Sequence, residues 1–257
     1  MNLGQKMSSA VVFSDPTAIE VILTSDNCEE FDAPGELNAI LEPLLGAQSV
    51  IGLSGDRHRR MRQQMMPPFH GERMRSYGEL IDEITDDVTR TWVLGKPFPV
   101  RKMMQTISMR VILRAVFGCK GGIRIHPVGM LTFPRVTSST VEITGYSLEP
   151  GTVVVGSIYL THRREEIYPD PDKFRPERFL ERRFSSFEYL PFGGGTRRCI
   201  GMAFAQFEMK LVIKRILSNF ALALTNGRFV RPVRRCLTAG PSPFQMVARN
   251  KISNPYR

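Results

Sequence analysis

Cysteine is scarce. The chain has four in 257 residues (Cys28, Cys119, Cys199 and Cys236), and no two stand at CxxC spacing. That argues against a disulfide-stapled small domain and against a zinc-ribbon site, and points to a reduced, intracellular chain. Long apolar runs are also missing. No uncharged stretch approaches the ~20 residues a spanning helix needs. The opening Met1–Asp15 segment holds no apolar run of signal-peptide length. The expectation is a soluble, cytoplasmic protein. Tryptophan occurs once, and no zinc, helix-turn-helix or RNA-strand signature is present, so nucleic-acid binding is set aside.

What is present is ordinary in amount and uneven in placement. Hydrophobic residues make up 42% and charged residues 23%, values of a globular chain rather than a disordered one. Residues 1–120 carry 14 Lys/Arg against 15 Asp/Glu, whereas residues 121–257 carry 21 against 10. The positive field therefore belongs to the second half. Such a field attracts an acidic protein or another anionic surface, and charge alone does not choose between them.

Local signals place the elements. Asp15-Pro16 opens a helix, with Asp15 as cap and Pro16 at the first helical position. Gly55–Met66 reads as a short, very basic helix that Pro67-Pro68 ends. Helical periodicity covers Glu72–Trp92 through Tyr77, Leu80, Ile81, Ile84 and Val88, and continues over 101–117. Residues 1–118 thus read as an N-terminal helical part of helix and loop only. The texture changes abruptly at 119–123. Short strands are expected near 131–135, 140–144 and 152–156. A long irregular, proline-bearing stretch follows over 165–191, and then a helix over about 201–218.

The segment that carries chemistry is Phe192-Gly193-Gly194-Gly195-Thr196-Arg197-Arg198-Cys199-Ile200-Gly201. Three glycines let a flat cofactor approach the backbone closely. Cys199 stands just before a helix, where free amides favour a thiolate, and a thiolate serves as an axial ligand of haem iron. The plainer reading, a glycine-rich turn followed by one buried cysteine, stands beside this one. Upstream, His58 and Arg62 lie four residues apart on one helix face, a spacing suited to a dianionic group; a solvated basic helix is the plainer reading there.

Phe192, Gly195, Arg197, Cys199 and Gly201 fill a Phe-x-x-Gly-x-Arg-x-Cys-x-Gly pattern that resembles the haem-binding loop of cytochromes P450. Three flanks agree in order: Tyr159–Arg163 with Tyr168–Pro171, then Phe174–Phe179, then Gly201–Ala205 with Glu208. The resemblance runs almost continuously over 124–218 and is closest to bacterial-type, soluble members. It implies a mainly α fold with small β-sheets (α+β), as one incomplete domain. It also implies haem b with the Cys199 thiolate on iron, as both metal ligand and catalytic group. Phe192, Gly193, Arg197 and Gly201 would line the cofactor, and His58, Arg62 and Arg135 would hold propionates. Arg124 and Arg178 take structural places. A ferredoxin or flavodoxin would dock on the basic proximal face.

The resemblance also exposes gaps. The family's Glu-x-x-Arg pair falls on Gly121-Gly122-Ile123-Arg124, so the carboxylate position is Gly121. The family's long central segment over the distal haem face, with its substrate-cavity helices and an Ala-Gly-x-x-Thr-like run, has no counterpart here. The implied activity is a haem-thiolate monooxygenase acting on a lipophilic substrate, with an internal deletion that compromises turnover. The rival reading is a non-catalytic haem binder or structural remnant with at most weak peroxidase activity, prone to self-association through exposed apolar surface.

Overall fold

Asp15 does what its position predicts. Its carboxylate accepts the amides of Thr17 and Ala18 at 3.0 and 3.1 Å, Pro16 starts the turn, and helix α1 runs Pro16–Thr24. The computed structural model describes residues 9–25, 29–42, 48–69, 72–112, 127, 129–225, 230–235 and 238–251. Within them the chain forms two compact units that interleave in sequence. One takes residues 1–65 and 121–199, the other 66–120 and 200–257.

The first unit is built on a four-stranded sheet of order β1-β7-β4-β2, where β1 is Val11–Phe13, β2 Phe31–Asp32, β4 Arg135–Thr137 and β7 Val153–Gly156. β1 runs parallel to β7 with Val11 beside Val154; β4 is antiparallel to β7 and to β2. All four β7 residues are buried, as befits a strand with neighbours on both edges. Helix α1 packs its Ile19, Ile22 and Leu23 into a core with Phe13, Phe31, Val154, Ile158 and Leu190. A small hairpin, β5 (Val141–Ile143) with β6 (Tyr146–Leu148), adds Val141, Ile143 and Leu148 to that core. Its turn places Thr144 and Gly145 at φ +47° and +84°, a conformation the glycine adopts without steric cost. The basic helix α2 (Gly55–Met65) belongs to the same unit, as do two short helices, α5 (Ile158–Thr161) and α6 (Arg178–Glu181).

The second unit is helical at its centre. Helices α3 (Glu72–Thr89), α4 (Val100–Ile112) and α7 (Met202–Asn219) surround a core of Ile81, Ile84, Val88, Ile107, Phe204, Val212 and Ile216. Tyr77 meets Phe204 edge-on at 5.3 Å, and Arg215 clamps Asp86 through two hydrogen bonds, so α3 and α7 run side by side in the same direction. An antiparallel sheet closes one end, in the order β3 (Pro97–Pro99), β11 (Gln245–Lys251), β8 (Phe220–Leu224). Trp92 stacks on Phe98 there at 4.0 Å. A last hairpin pairs β9 (Pro232–Arg235) with β10 (Thr238–Pro241).

The expectation of helix and loop alone over residues 1–118 needs correction, because β1, β2 and β3 all lie there. Each is only two or three residues long and exists by pairing with a strand far downstream. No local pattern of so few residues announces a strand. Cys28, Cys119, Gly121, Gly122, Arg124 and Cys236 lie outside the described residues. Among the described residues, no helix is long and apolar enough to cross a membrane.

Candidate functional site

The glycine loop takes its shape from its own main chain. Gly193 and Gly195 adopt φ +67° and +62°, in the left-handed region where a side chain is strained. Gly194 is extended, and a Cβ there would meet Leu23 Cδ1 at 2.7 Å, so α1 supports the loop from behind. A Cβ on Gly193 would meet nothing within 4 Å, which leaves an open face on the loop. The Gly193 amide donates to the Leu190 carbonyl, and the Cys199 amide donates back to the Phe192 carbonyl, both at 3.0 Å. The loop therefore closes on itself and ends with Cys199 exposed. A buried structural cysteine does not fit that exposure.

Arg197 anchors the loop to distant chain. It is buried, and it donates to the carbonyls of Leu53 at 2.7 Å and Val50 at 3.3 Å, and through a short bond to Ala33. Arg135 opens β4 and is fully buried, donating to the Phe133 carbonyl at 2.8 Å. This differs from an exposed strand arginine. On α2, His58 is buried while Arg57, Arg59 and Arg60 are exposed, so the helix turns His58 inward and these three arginines to solvent. Arg62 is half-buried one turn further on. Burial pushes its guanidinium below the ordinary value; the Cys199 thiolate opposes that fall and Arg198 adds to it. Arg62 thus feels the charges of both Cys199 and Arg198, so α2 lies within electrostatic range of the end of the glycine loop.

The first unit thus contains His58, Arg62, Arg135, Phe192, Gly193, Arg197 and Cys199. Gly201 belongs to the second unit, where it caps α7 and its carbonyl accepts the Ala205 amide at 2.8 Å. Arg178 is buried and donates to the carbonyls of Arg175, Pro169 and Asp170, so it ties the irregular stretch to itself. Arg198 escaped the sequence reading as a neighbour of Arg62. Only the Arg-Arg doublet beside Cys199 hinted at it.

Comparison with known proteins points to one family. A family model described as Cytochrome P450 matches residues 120–247. Cytochrome P450 135B1 of Mycobacterium tuberculosis is 42% identical over 113 residues, which is 44% of this chain and 24% of that protein. The matched segment therefore spans about a quarter of that relative's length. Cytochrome P450 138 of the same organism is 23% identical over 360 aligned residues, covering 84% of this chain and 81% of that protein. That alignment is longer than this chain's 257 residues. Among solved structures, a 6-coordinated cytochrome P450 from Thermus thermophilus superposes with a TM-score of 0.78 at 18% identity, covering 93% of this chain and 92% of that one. Retinoic acid-bound cyanobacterial CYP120A1 gives 0.76 at 17% identity, covering 93% and 88%. Mixed helix and small sheets in this arrangement are the P450 fold, a family that implies haem held by a cysteine thiolate and electrons supplied by a redox partner. The chain belongs to the cytochrome P450 family.

Proposed function

We propose that this chain binds haem through the Cys199 thiolate and is the proximal part of a haem-thiolate monooxygenase that turns over poorly. The observation that carries the reading is the loop itself: two left-handed glycines, an open face at Gly193, and an exposed thiol within electrostatic range of Arg62. The donor set suits the group. A soft thiolate ligates iron, and His58, Arg62, Arg135 and Arg197 are the basic side chains assigned to two propionates, Arg135 and Arg197 through N–H groups beyond those already given to carbonyls. When bound, haem supplies dioxygen activation and the insertion of one oxygen atom into an organic substrate. The protein's part is to hold the sulfur, carry the propionates and shield the reacting face. Phe192 fixes the sulfur's backbone by accepting the Cys199 amide.

The missing distal segment sets the limit. Support for an internal deletion comes from the alignment that needs 360 positions to place most of a 257-residue chain. On this reading, loss of that segment removes the wall that would exclude water and the cavity that would hold a substrate bond near the site. The same length difference favours the second reading, a haem binder with weak peroxidase activity. The reading places the protein in the cytoplasm. It assigns a ferredoxin or flavodoxin as electron donor to the basic half, and self-association to apolar side chains left on the surface of α7, Ile213 and Leu217.

The test is reconstitution of the full chain with haem, reduction and carbon monoxide. The parent should show the red-shifted band of a thiolate ligand, and Cys199→Ala should lose it. A parent band that survives Cys199→Ala overturns the assignment. NADPH consumption measured against hydroxylated product, with a ferredoxin system, separates the two readings. Tightly coupled product formation refutes the poor-turnover claim.

A further inference from the structure

His162 lies far from the thiol in sequence and is completely buried. It closes α5, where its amide donates to the Ile158 carbonyl, and its ring enters an aromatic cluster. Tyr189 stacks on it at 5.6 Å with a 24° tilt, and Tyr168 meets it edge-on at 6.1 Å. The Leu190 amide donates to His162 Nε2 at 3.1 Å. A main-chain amide can only donate, so Nε2 carries the lone pair and the ring proton sits on Nδ1. One tautomer is therefore selected by the fold.

The consequence lies two residues downstream. Leu190 is itself buried, and its carbonyl accepts the Gly193 amide at 3.0 Å; Phe192 then accepts the Cys199 amide at 3.0 Å. The glycine loop thus hangs from a residue whose amide is held by an imidazole. Tyr168 reinforces the grip by donating its hydroxyl to the Glu188 carbonyl at 2.8 Å. We propose that His162 is a positioning residue for the Cys199 loop, acting as a directional acceptor that fixes Leu190 and so sets where the thiolate stands. The inference rests on the reading of Cys199 as the haem ligand, and goes beyond it by naming what places the sulfur.

Two substitutions separate the acceptor from the ring. His162→Phe keeps the aromatic volume and loses the acceptor, leaving a buried amide unpaired. His162→Gln loses the ring and keeps an acceptor at similar reach. Amide hydrogen exchange of the full chain, read by mass spectrometry on peptides spanning 186–193 and 192–200, reports the loop without any cofactor. His162→Phe should raise exchange at Leu190 and Cys199 roughly tenfold, and His162→Gln should stay within about threefold of the parent. The reverse order, or parent-like protection in His162→Phe, overturns the proposal. In haem-loaded protein, His162→Phe should convert part of the carbon monoxide band from the thiolate to the thiol position, with rescue in His162→Gln. A chain that shows the exchange pattern but never binds haem through sulfur refutes the Cys199 reading and leaves the positioning result standing. If both variants fail to fold, nitrogen NMR of the parent decides: a proton on Nε2 refutes the proposal, and a proton on Nδ1 upholds it.

Discussion

Glu208 is an unusual residue to find in the core of the second unit. It sits on α7 among Phe204, Met209 and Val212, it is 2% exposed, and neither carboxylate oxygen has a hydrogen-bond partner among the described residues. Burial raises its carboxyl from 4.5 to about 7; Ser108 on α4 is near enough to temper the rise but not placed to satisfy either oxygen. At 1.36 kcal/mol per pH unit, such a rise corresponds to about 3 kcal/mol between the neutral and charged forms. The sign follows from linkage. The folded state holds the proton more tightly than the unfolded state. This contribution to stability is therefore fully present below about pH 4.5, declines above it, and is lost as the pH rises through about 7. Glu208→Gln removes the titration and keeps the shape. Urea midpoints of parent and variant from pH 5 to 8 should diverge, the parent losing about 2–3 kcal/mol more than Glu208→Gln over that interval. Parallel profiles would refute the argument, because they require Glu208 to be charged or solvated throughout.

Two further substitutions probe the loop. Gly194→Ala brings a Cβ onto Leu23 Cδ1, which is itself buried and cannot swing away, so it should cost about 1–3 kcal/mol. Leu23→Val removes that methyl, and the double variant should regain part of the loss; a double variant worse than the sum of the singles in thermal unfolding would exclude the clash. Arg197→Lys replaces a fork that spans Ala33, Val50 and Leu53 with a single point charge. It should cost about 1.5–3 kcal/mol and weaken haem retention, and an unchanged denaturation midpoint would contradict the tertiary role given to Arg197.

What was legible in the sequence was local. Asp15-Pro16 specifies a helix start within four residues, and the structure caps α1 with those residues. The helices from Glu72 and from Met202 showed their apolar faces by spacing, and the core between them uses those faces. The glycine loop was legible because its motif is contiguous. What could not be read depends on partners far along the chain. Arg197 reaches carbonyls 144 to 164 residues away, and β1 is a strand only because β7 lies beside it. His58 and its neighbours Arg57, Arg59 and Arg60 look alike in sequence; tertiary packing alone decides which turns inward. His162 was visible in a matching segment, but nothing in that segment says that its acceptor meets Leu190.

Among the described residues of the first unit three guanidiniums are buried, and their partners tell them apart. Arg178 donates to carbonyls only three to nine residues away, so it staples one irregular stretch to itself. Arg135 also donates within its own neighbourhood, at the sheet's inner strand. Arg197 alone joins the loop of Cys199 to two remote stretches. In each case carbonyls accept several of the N–H groups. Burying a cation is tolerable when its donors are paired in this way. Arg62 and Arg198 add two cations to the electrostatic neighbourhood of Cys199, which suits an anionic ligand at this end of the loop. A neutral ligand would gain nothing from it. The charge placement therefore agrees with the backbone geometry. An open glycine face accepts a flat group, a thiolate accepts a soft metal, and fixed cations accept carboxylates without having to reorganise. Haem would meet all three demands at once, and that is the ground for assigning it to these residues in the proposed function, whether or not a distal wall stands opposite them.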